Sequence, residues 1–411
     1  MTIEVLHLSD IHLGSGRAHG KLDPETGLNT RLLDFIQSLT RCIDAAIERN
    51  VDLVLFGGDA FPNSTPPPYI AEAFASQFRR LAEANIPTVL LVGNHDQHAQ
   101  GQGGASLCLY RTLVVPGFVV GDRLTTHRIT TKSGDVQVVT LPWLTKSTLL
   151  TRPETENLSI EEIDRLLIDK LRTILEGEIR QLDPETPAIL LAHLMADRAT
   201  FGAERFLAVR KGFNVPLSLI SRPEFSYVAL GHVHKHQNLN PDNDPPVVYP
   251  GSIDRVDFSE EKEEKGYVLA RVDRGICEWE FQPLPVRPFR TISVDLTQAD
   301  DPLAKLTAAL AKADLDGAVV RLQYRIHAQR LDTIDLAALR TALATAHSFT
   351  VSPEPVSQLA RPRMPELSTH HDPIEALETY LTDRSELSTI RDDLLQAARD
   401  LARIDTELQL S

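Results

Sequence analysis

Apolar positions along the first two thirds of the chain recur with two periods in alternation. Residues 5–8 form a short apolar run of strand length, whereas Leu32, Phe35, Leu39, Ile43 and Ala46 fall three or four apart, as on one helix face. A strand at 53–56, a helix carrying Ile70, Phe74, Phe78 and Leu81, and a strand at 88–92 continue the alternation. Further strands are predicted at 136–141, 189–192, 227–230, 247–249 and 267–272, with a charged helix between residues 160 and 182. Interleaved strands and helices predict a layered α/β domain over residues 1–285.

Pro283, Pro285 and Pro288 mark a change of texture. Beyond them Ile292, Val294 and Leu296 alternate with polar residues, and Asp301-Pro302 reads as an N-cap followed by proline at the first helical position. Val320, Leu322, Tyr324 and Ile326 alternate again, and Asp335 can cap a helix bearing Leu336, Leu339 and Leu343. Residues 286–353 therefore predict a small α+β domain. Residues 354–371 are proline-rich and aperiodic, the character of a linker. In the tail, 372–411, a short helix precedes one with Leu387, Ile390, Leu394, Ala397, Leu401, Ile404 and Leu408 in a heptad seam. Such a seam either folds back as a hairpin on its own domain or docks on a partner's helices.

Composition narrows the function. The 57 acidic against 42 basic side chains give a net charge of −15, the wrong sign for a stand-alone polyelectrolyte binder of nucleic acid. No apolar run approaches the roughly 20 residues of a membrane span, and the N-terminus lacks the features of a signal peptide. Cys42, Cys108 and Cys277 are too scattered for a disulfide framework. These features predict a cytoplasmic protein with no membrane partner.

Five apolar strands end in metal-liganding residue types: Ser9-Asp10-Ile11-His12, Gly57-Gly58-Asp59, Gly93-Asn94-His95-Asp96, Ala192-His193 and Gly231-His232-Val233-His234. In α/β sheets the carboxyl ends of strands build sites, so these stretches can converge on one crevice. Each alone is weak, because a D-x-H pair or a lone histidine is more often a surface pair or a satisfied core group. Their coincidence after five strands is the signal. Carboxylate, imidazole and amide without thiolate suit divalent ions such as Mn, Fe or Zn. A shared carboxylate can bridge two such ions, and Asp59 is the natural bridge. The chemistry this predicts is phosphoester hydrolysis.

In order and spacing these motifs resemble those of the calcineurin-like metallophosphoesterases. The resemblance implies an α/β fold, a layered β-sandwich flanked by helices. It implies one metal held by Asp10, His12, Asp59 and His234, and a second by Asp59, Asn94, His193 and His232. It gives His95 to the scissile phosphate and leaving group, with Asp96 orienting it; the alternative for Asp96 is a helix cap. Within the superfamily, the run Ser64-Thr65-Pro66-Pro67-Pro68-Tyr69, the segments 249–253 and 263–267, and Pro365-Glu366-Leu367-Ser368 resemble the SbcD nuclease subunits. One departure is Pro62, where many members carry an acid. That family implies a small capping domain, a C-terminal helical hairpin that binds an SbcC-like coiled-coil ATPase, DNA as substrate, manganese as the ion and a homodimer. The competing expectations are a metallophosphatase or phosphodiesterase for a small phosphoester or phosphoprotein, and a scaffold without chemistry.

Overall fold

A computed structural model describes residues 2–97, 106–145, 149–150, 155–156, 158–200, 213–241, 244–356, 373–382, 387 and 390–408, the side chains of 373, 382 and 400–408 excepted. The chain divides into two compact units, Met1–Ile292 with Ala313–Arg321 and Leu343–Thr350, and Ser293–Lys312 with Leu322–Ala342 and Val351–Ser411.

Two six-stranded sheets dominate the first unit. One has the order β14-β13-β1-β2-β3-β4, built from β1 (Ile3–Leu8), β2 (Leu53–Phe56), β3 (Thr88–Leu91), β4 (Phe118–Gly121), β13 (Gly266–Asp273) and β14 (Ile276–Pro283). The other runs β11-β12-β10-β7-β6-β5, from β5 (Thr125–Thr131), β6 (Gly134–Leu141), β7 (Ala188–His193), β10 (Tyr227–Gly231), β11 (Gln237–Asn238) and β12 (Val247–Tyr249). Met195–Ala196 and Asn214–Val215, β8 and β9, form a separate small pair. The helices of this unit are α1 (Thr30–Glu48), α2 (Pro68–Glu83), α3 (Cys108–Thr112), α4 (Ile160–Ile179) and α5 (Leu217–Ile220).

Side-chain alternation along the strands explains why the sheets stack. Ile3, Val5, Leu53, Leu55, Val89 and Leu91 of the first sheet share one buried cluster with Val136, Val138, Ile189, Leu191 and Tyr227 of the second. The intervening residues Leu6, Leu8, Val54, Phe56 and Leu90 pack instead with the buried faces of α1 and α2. Leu190, Ala192, Val228 and Leu230 do the same with α4 and α5. Apolar on both faces, the central strands must be covered twice, which gives the order helix, sheet, sheet, helix. One polar contact crosses the inter-sheet core: His7 Nδ1 lies 3.0 Å from the Tyr227 hydroxyl. The mixed α/β architecture, with sheets flanked by helices, is the expected one.

Helix starts follow their caps. Asn29 accepts from the Arg31 N–H, Ser159 and Glu162 form a reciprocal capping box, and Asp301 accepts from the Ala304 N–H just before α6 (Pro302–Leu310). Strands β15 (Phe289–Asp295), β16 (Val319–His327) and β17 (Ser348–Val356) form a three-stranded sheet in that order, and α7 spans Leu336–Ala342. In the second unit α8 (Pro373–Thr382) and α9 (Arg391–Leu408) contact each other, with Arg391 3.6 Å from Glu378. All but residues 354–356 of the expected linker, the Pro365 to Ser368 segment included, lies outside the described residues. Among the described residues no helix is long and apolar enough to cross a membrane.

Arg31 ties α1 to the loop after β12. Fully buried, it donates to Asp254 at 2.9 Å, to the Arg255 carbonyl at 2.7 Å and to Asp34 at 2.6 Å, while Ser38 donates to the other Asp254 oxygen at 2.9 Å. Removing one partner of a buried ion pair strands the other charge. Arg31→Ala is therefore expected to cost about 3 to 5 kcal/mol, read as a lower midpoint of urea unfolding; an unchanged midpoint would show that Asp254 tolerates solitary burial.

Candidate metal centre

The loops that follow β1, β2, β3, β7 and β10 meet at one end of the sandwich. They are zipped by backbone: Asp10 N–H donates to the Gly58 carbonyl at 3.0 Å, His12 N–H to the Asp59 carbonyl at 3.0 Å and Leu13 N–H to the Ala60 carbonyl at 2.8 Å. The turns are sharp enough to drive Asp10, His12, Asp59 and His232 to φ values of 52°, 45°, 59° and 104°. Non-glycine residues bear such angles only where their surroundings compel it, each at a cost of roughly 1 to 3 kcal/mol. Strain is thus concentrated on residues singled out by their chemistry.

Glycine precedes three of the motifs, and the structure separates two reasons for it. Gly58 has φ +100°, and a Cβ there would lie 2.5 Å from His193 Nδ1. Gly93 has no such φ, but its Cβ would sit 2.2 Å from Asp59 Oδ1. The first needs a turn and space; the second needs space alone.

All seven expected ligands come together. Asp59 Oδ2 lies 3.4 Å from His193 Nε2 and 3.7 Å from His12 Nε2, so one oxygen faces both halves of the site. Asn94 Oδ1 is 3.0 Å from His193 Nε2 and 2.9 Å from His232 Nδ1. His12 Nε2 is 3.0 Å from His234 Nε2, and the His232 backbone N–H donates to Asp10 Oδ2 at 3.0 Å. Three groups, Asp10 with His12 and His234, His12 with Asp59 and His95, and Asp59 with His193 and His232, each bring potential ligand atoms within 4.8 Å of one another.

The donor set fits cations. His193 lies 2.7 Å through Nδ1 from the Gly57 carbonyl, which can only accept, so Nδ1 carries a proton and Nε2, facing Asn94 and Asp59, is the nitrogen left for a second proton or a cation. His234 Nδ1 lies 2.7 Å from the Glu260 carboxylate, leaving its Nε2 lone pair toward His12. Acceptors that face each other this closely repel unless a positive charge lies between them. Among the protein's own groups, that positive charge falls on His193 itself. Burial opposes charge on His193, yet Asp59 beside it raises this imidazole to about 9. Burial would likewise raise Asp59, but His193, His12 and His95 hold its carboxyl far below the usual range. His232 goes the other way, lowered to about 3 by burial and by the charge on His193.

His95 and Asp96 take different places from each other. The His95 backbone N–H donates to Asp59 Oδ1 at 2.8 Å, and its ring Nδ1 is 2.8 Å from the Pro62 carbonyl. The orienting contact expected of Asp96 is thus made by a backbone carbonyl, at the position where the family pattern departs. Asp96 accepts instead from the Gly93, Asp59 and Ala60 N–H groups at 3.0, 2.9 and 3.1 Å, in the manner of a cap that braces the two loops. Burial and the Asp59 charge push its carboxyl up to about 7.

Two neighbours went unread in the sequence. Trp143, one residue beyond the end of β6 and Pro142, lays its ring over His232 with centroids 4.8 Å apart, and its backbone N–H donates to the Val92 carbonyl at 3.1 Å. The rule that found the ligands, an informative residue just past a buried strand, would have found it too. Glu260 lies in a one-turn helix at Phe258–Glu260 with no such signal.

A two-lobed cluster of histidine, carboxylate and amide groups at the carboxyl ends of stacked sheets is the donor set of a metal-dependent hydrolase. The chain matches the calcineurin-like phosphoesterase family over residues 3–236 and belongs to it. Among solved structures it is similar to a protein of Thermus thermophilus, at 16% identity and TM-score 0.39 over 68% of this chain and 99% of that one. It is also similar to a dimetal phosphatase of Danio rerio, at 11% identity and TM-score 0.40 over 67% and 98%.

Because one Asp59 oxygen faces both halves of the site, Asp59→Asn should bind fewer ions than a variant of a residue confined to one half. Metal analysis after dialysis against manganese should find Asp59→Asn nearly metal-free and His12→Ala still holding an ion. Equal losses in the two variants would argue against a shared carboxylate.

Proposed function

We propose that this chain is a manganese-dependent DNA nuclease of SbcD type, cutting duplex ends exonucleolytically and single strands endonucleolytically together with an SbcC-like coiled-coil ATPase in DNA repair. The observation that carries the hydrolytic part is the meeting of five ordered motifs around Asp59. Support for the nuclease branch comes from the segments at 64–69, 249–253 and 263–267, whose Lys265 is buried against the site. In this reading Asp10, His12, Asp59 and His234 hold one cation and Asp59, Asn94, His193 and His232 the other. Two divalent cations bound there supply Lewis-acid stabilisation of a phosphodiester's charge and activation of water at neutral pH. His95, with Nδ1 given to the Pro62 carbonyl, keeps Nε2 for the substrate: it contacts a phosphodiester oxygen and, when protonated, hands a proton to the departing one.

Exposure supports particular surfaces for the partners of this reading. The stripe Ile70, Phe74, Phe78 and Leu81 of α2 is core, so a homodimer through this region would use the apolar groups left outside, Tyr69, Leu109, Leu113 and Val114. On α9, Leu394 is exposed, as is Ile390 just before it, while Leu395 is buried, which supports the tail as the ATPase-docking element. Residues 286–353 serve as the capping domain. With a net charge of −15, the larger share of the DNA grip falls to the ATPase.

The test is hydrolysis with manganese of linear duplex and single-stranded DNA beside an aryl phosphomonoester. DNA cleavage supports the nuclease; turnover of the monoester alone supports the metallophosphatase reading. His95→Ala should keep two ions and DNA affinity while losing roughly 10² to 10⁴ in rate, whereas loss of an ion would make His95 a ligand. Deletion of residues 366–411 should leave the melting temperature and single-strand cutting intact and abolish capture of the ATPase. A lower melting temperature with capture retained would assign the tail to its own domain.

A further inference from the structure

Among His193, His232 and His234, the last is held differently. His193 leans on a backbone carbonyl, and the outer nitrogen of His232, Nε2, is buried with no hydrogen-bond partner. His234 instead presents Nδ1 to a carboxylate, Glu260 Oε1, at 2.7 Å. Glu260 and Lys265 are themselves 2% and 1% exposed. The other Glu260 oxygen takes Lys265 Nζ at 2.9 Å and the Val256 N–H at 3.0 Å. Lys265 Nζ also donates to the His234 carbonyl at 3.0 Å and to Glu263 at 2.8 Å. The contacts close a ring: from the His234 imidazole to Glu260, to Lys265, and back to the His234 backbone.

Burying a carboxylate and an ammonium is a poor route to stability, because desolvation consumes most of their attraction and apolar residues of equal volume do as well or better. What a charged pair supplies that an apolar pair does not is direction. A carboxylate on one imidazole nitrogen fixes the tautomer, aims the opposite lone pair and makes it a stronger donor. We propose that Glu260, itself held by Lys265, is a positioning residue for His234, and that it sets the affinity of the cation position His234 serves without touching cation or substrate. The proposal rests on the two-cation reading of the site and not on the choice of DNA as substrate.

Manganese titration of the metal-free full-length protein decides it, with free ion followed by electron paramagnetic resonance and melting temperature recorded in parallel. Glu260→Gln keeps an acceptor for His234 but turns an amide N–H toward Lys265 and the Val256 N–H, so the double variant Glu260→Gln/Lys265→Met, which removes the clash with the ammonium, is run beside it. One of two ions should bind about 10- to 100-fold more weakly in both variants, the other as in wild type, with the metal-free melting temperature of the double variant near that of wild type. Unchanged affinity for both ions in the double variant, whatever the melting temperature, overturns the proposal and leaves the pair a structural one. Equal weakening of both ions also overturns it, since the effect would not be local to His234. Wild-type protein that binds fewer than two ions overturns the site reading as well. No DNA enters the measurement, so inactivity on DNA would sink the nuclease reading alone.

Discussion

Asp59 is a buried carboxylate held in its ionised form by the imidazoles beside it, and the surrounding architecture is arranged around that fact. Its side chain faces His12 and His193, its Oδ1 accepts from the His95 N–H, its own N–H is held by Asp96, and its carbonyl takes the His12 N–H. A buried carboxylate with imidazoles on two sides is stable only with positive charge close by. Strained φ angles at Asp10, His12, Asp59 and His232 and the missing side chain at Gly93 are what it takes to crowd those groups together. The rigid stack of helix, sheet, sheet and helix holds this strain in place.

How much of this could be read in the residues depended on burial. Central strands announced themselves: the predicted runs at 53–56 and 247–249 coincide with β2 and β12, and the others differ by a residue or two at their ends. The strands without a sequence counterpart include the edges of both six-stranded sheets, β14, β4, β11 and β5. An edge strand is covered less completely, so Thr125–Thr131 offers one isoleucine among threonines and β14 alternates, and neither makes a continuous apolar run. The ligands were legible because each motif begins directly after a central strand.

What supports the ligands was much less legible. The Pro62 carbonyl that turns His95 leaves no side-chain signature, since any residue has a carbonyl. Glu260 is 26 residues from His234 and becomes its partner only through the path of the loop after β12. Asp96 looked like a companion to its neighbour in sequence, yet a carboxylate among three converging N–H groups serves the backbone first. The family resemblance pairs Asp96 with His95, and the residues alone leave a cap as the alternative; its hydrogen bonds are those of the cap.

The assembly of the site from two sheets has a consequence for the order in which the chain acquires it. Asp10, His12, Asp59 and Asn94 lie early in the chain, whereas His232 bonds Asp10 across 222 residues. Until the second sheet docks on the first and the His7–Tyr227 contact closes between them, three of the seven expected ligands are elsewhere. Contacts of such long sequence separation form late. A cation met by the nascent chain finds Asp10, His12, Asp59 and Asn94 without the later histidines, so a cation held by the complete set of groups would report that the sandwich has closed.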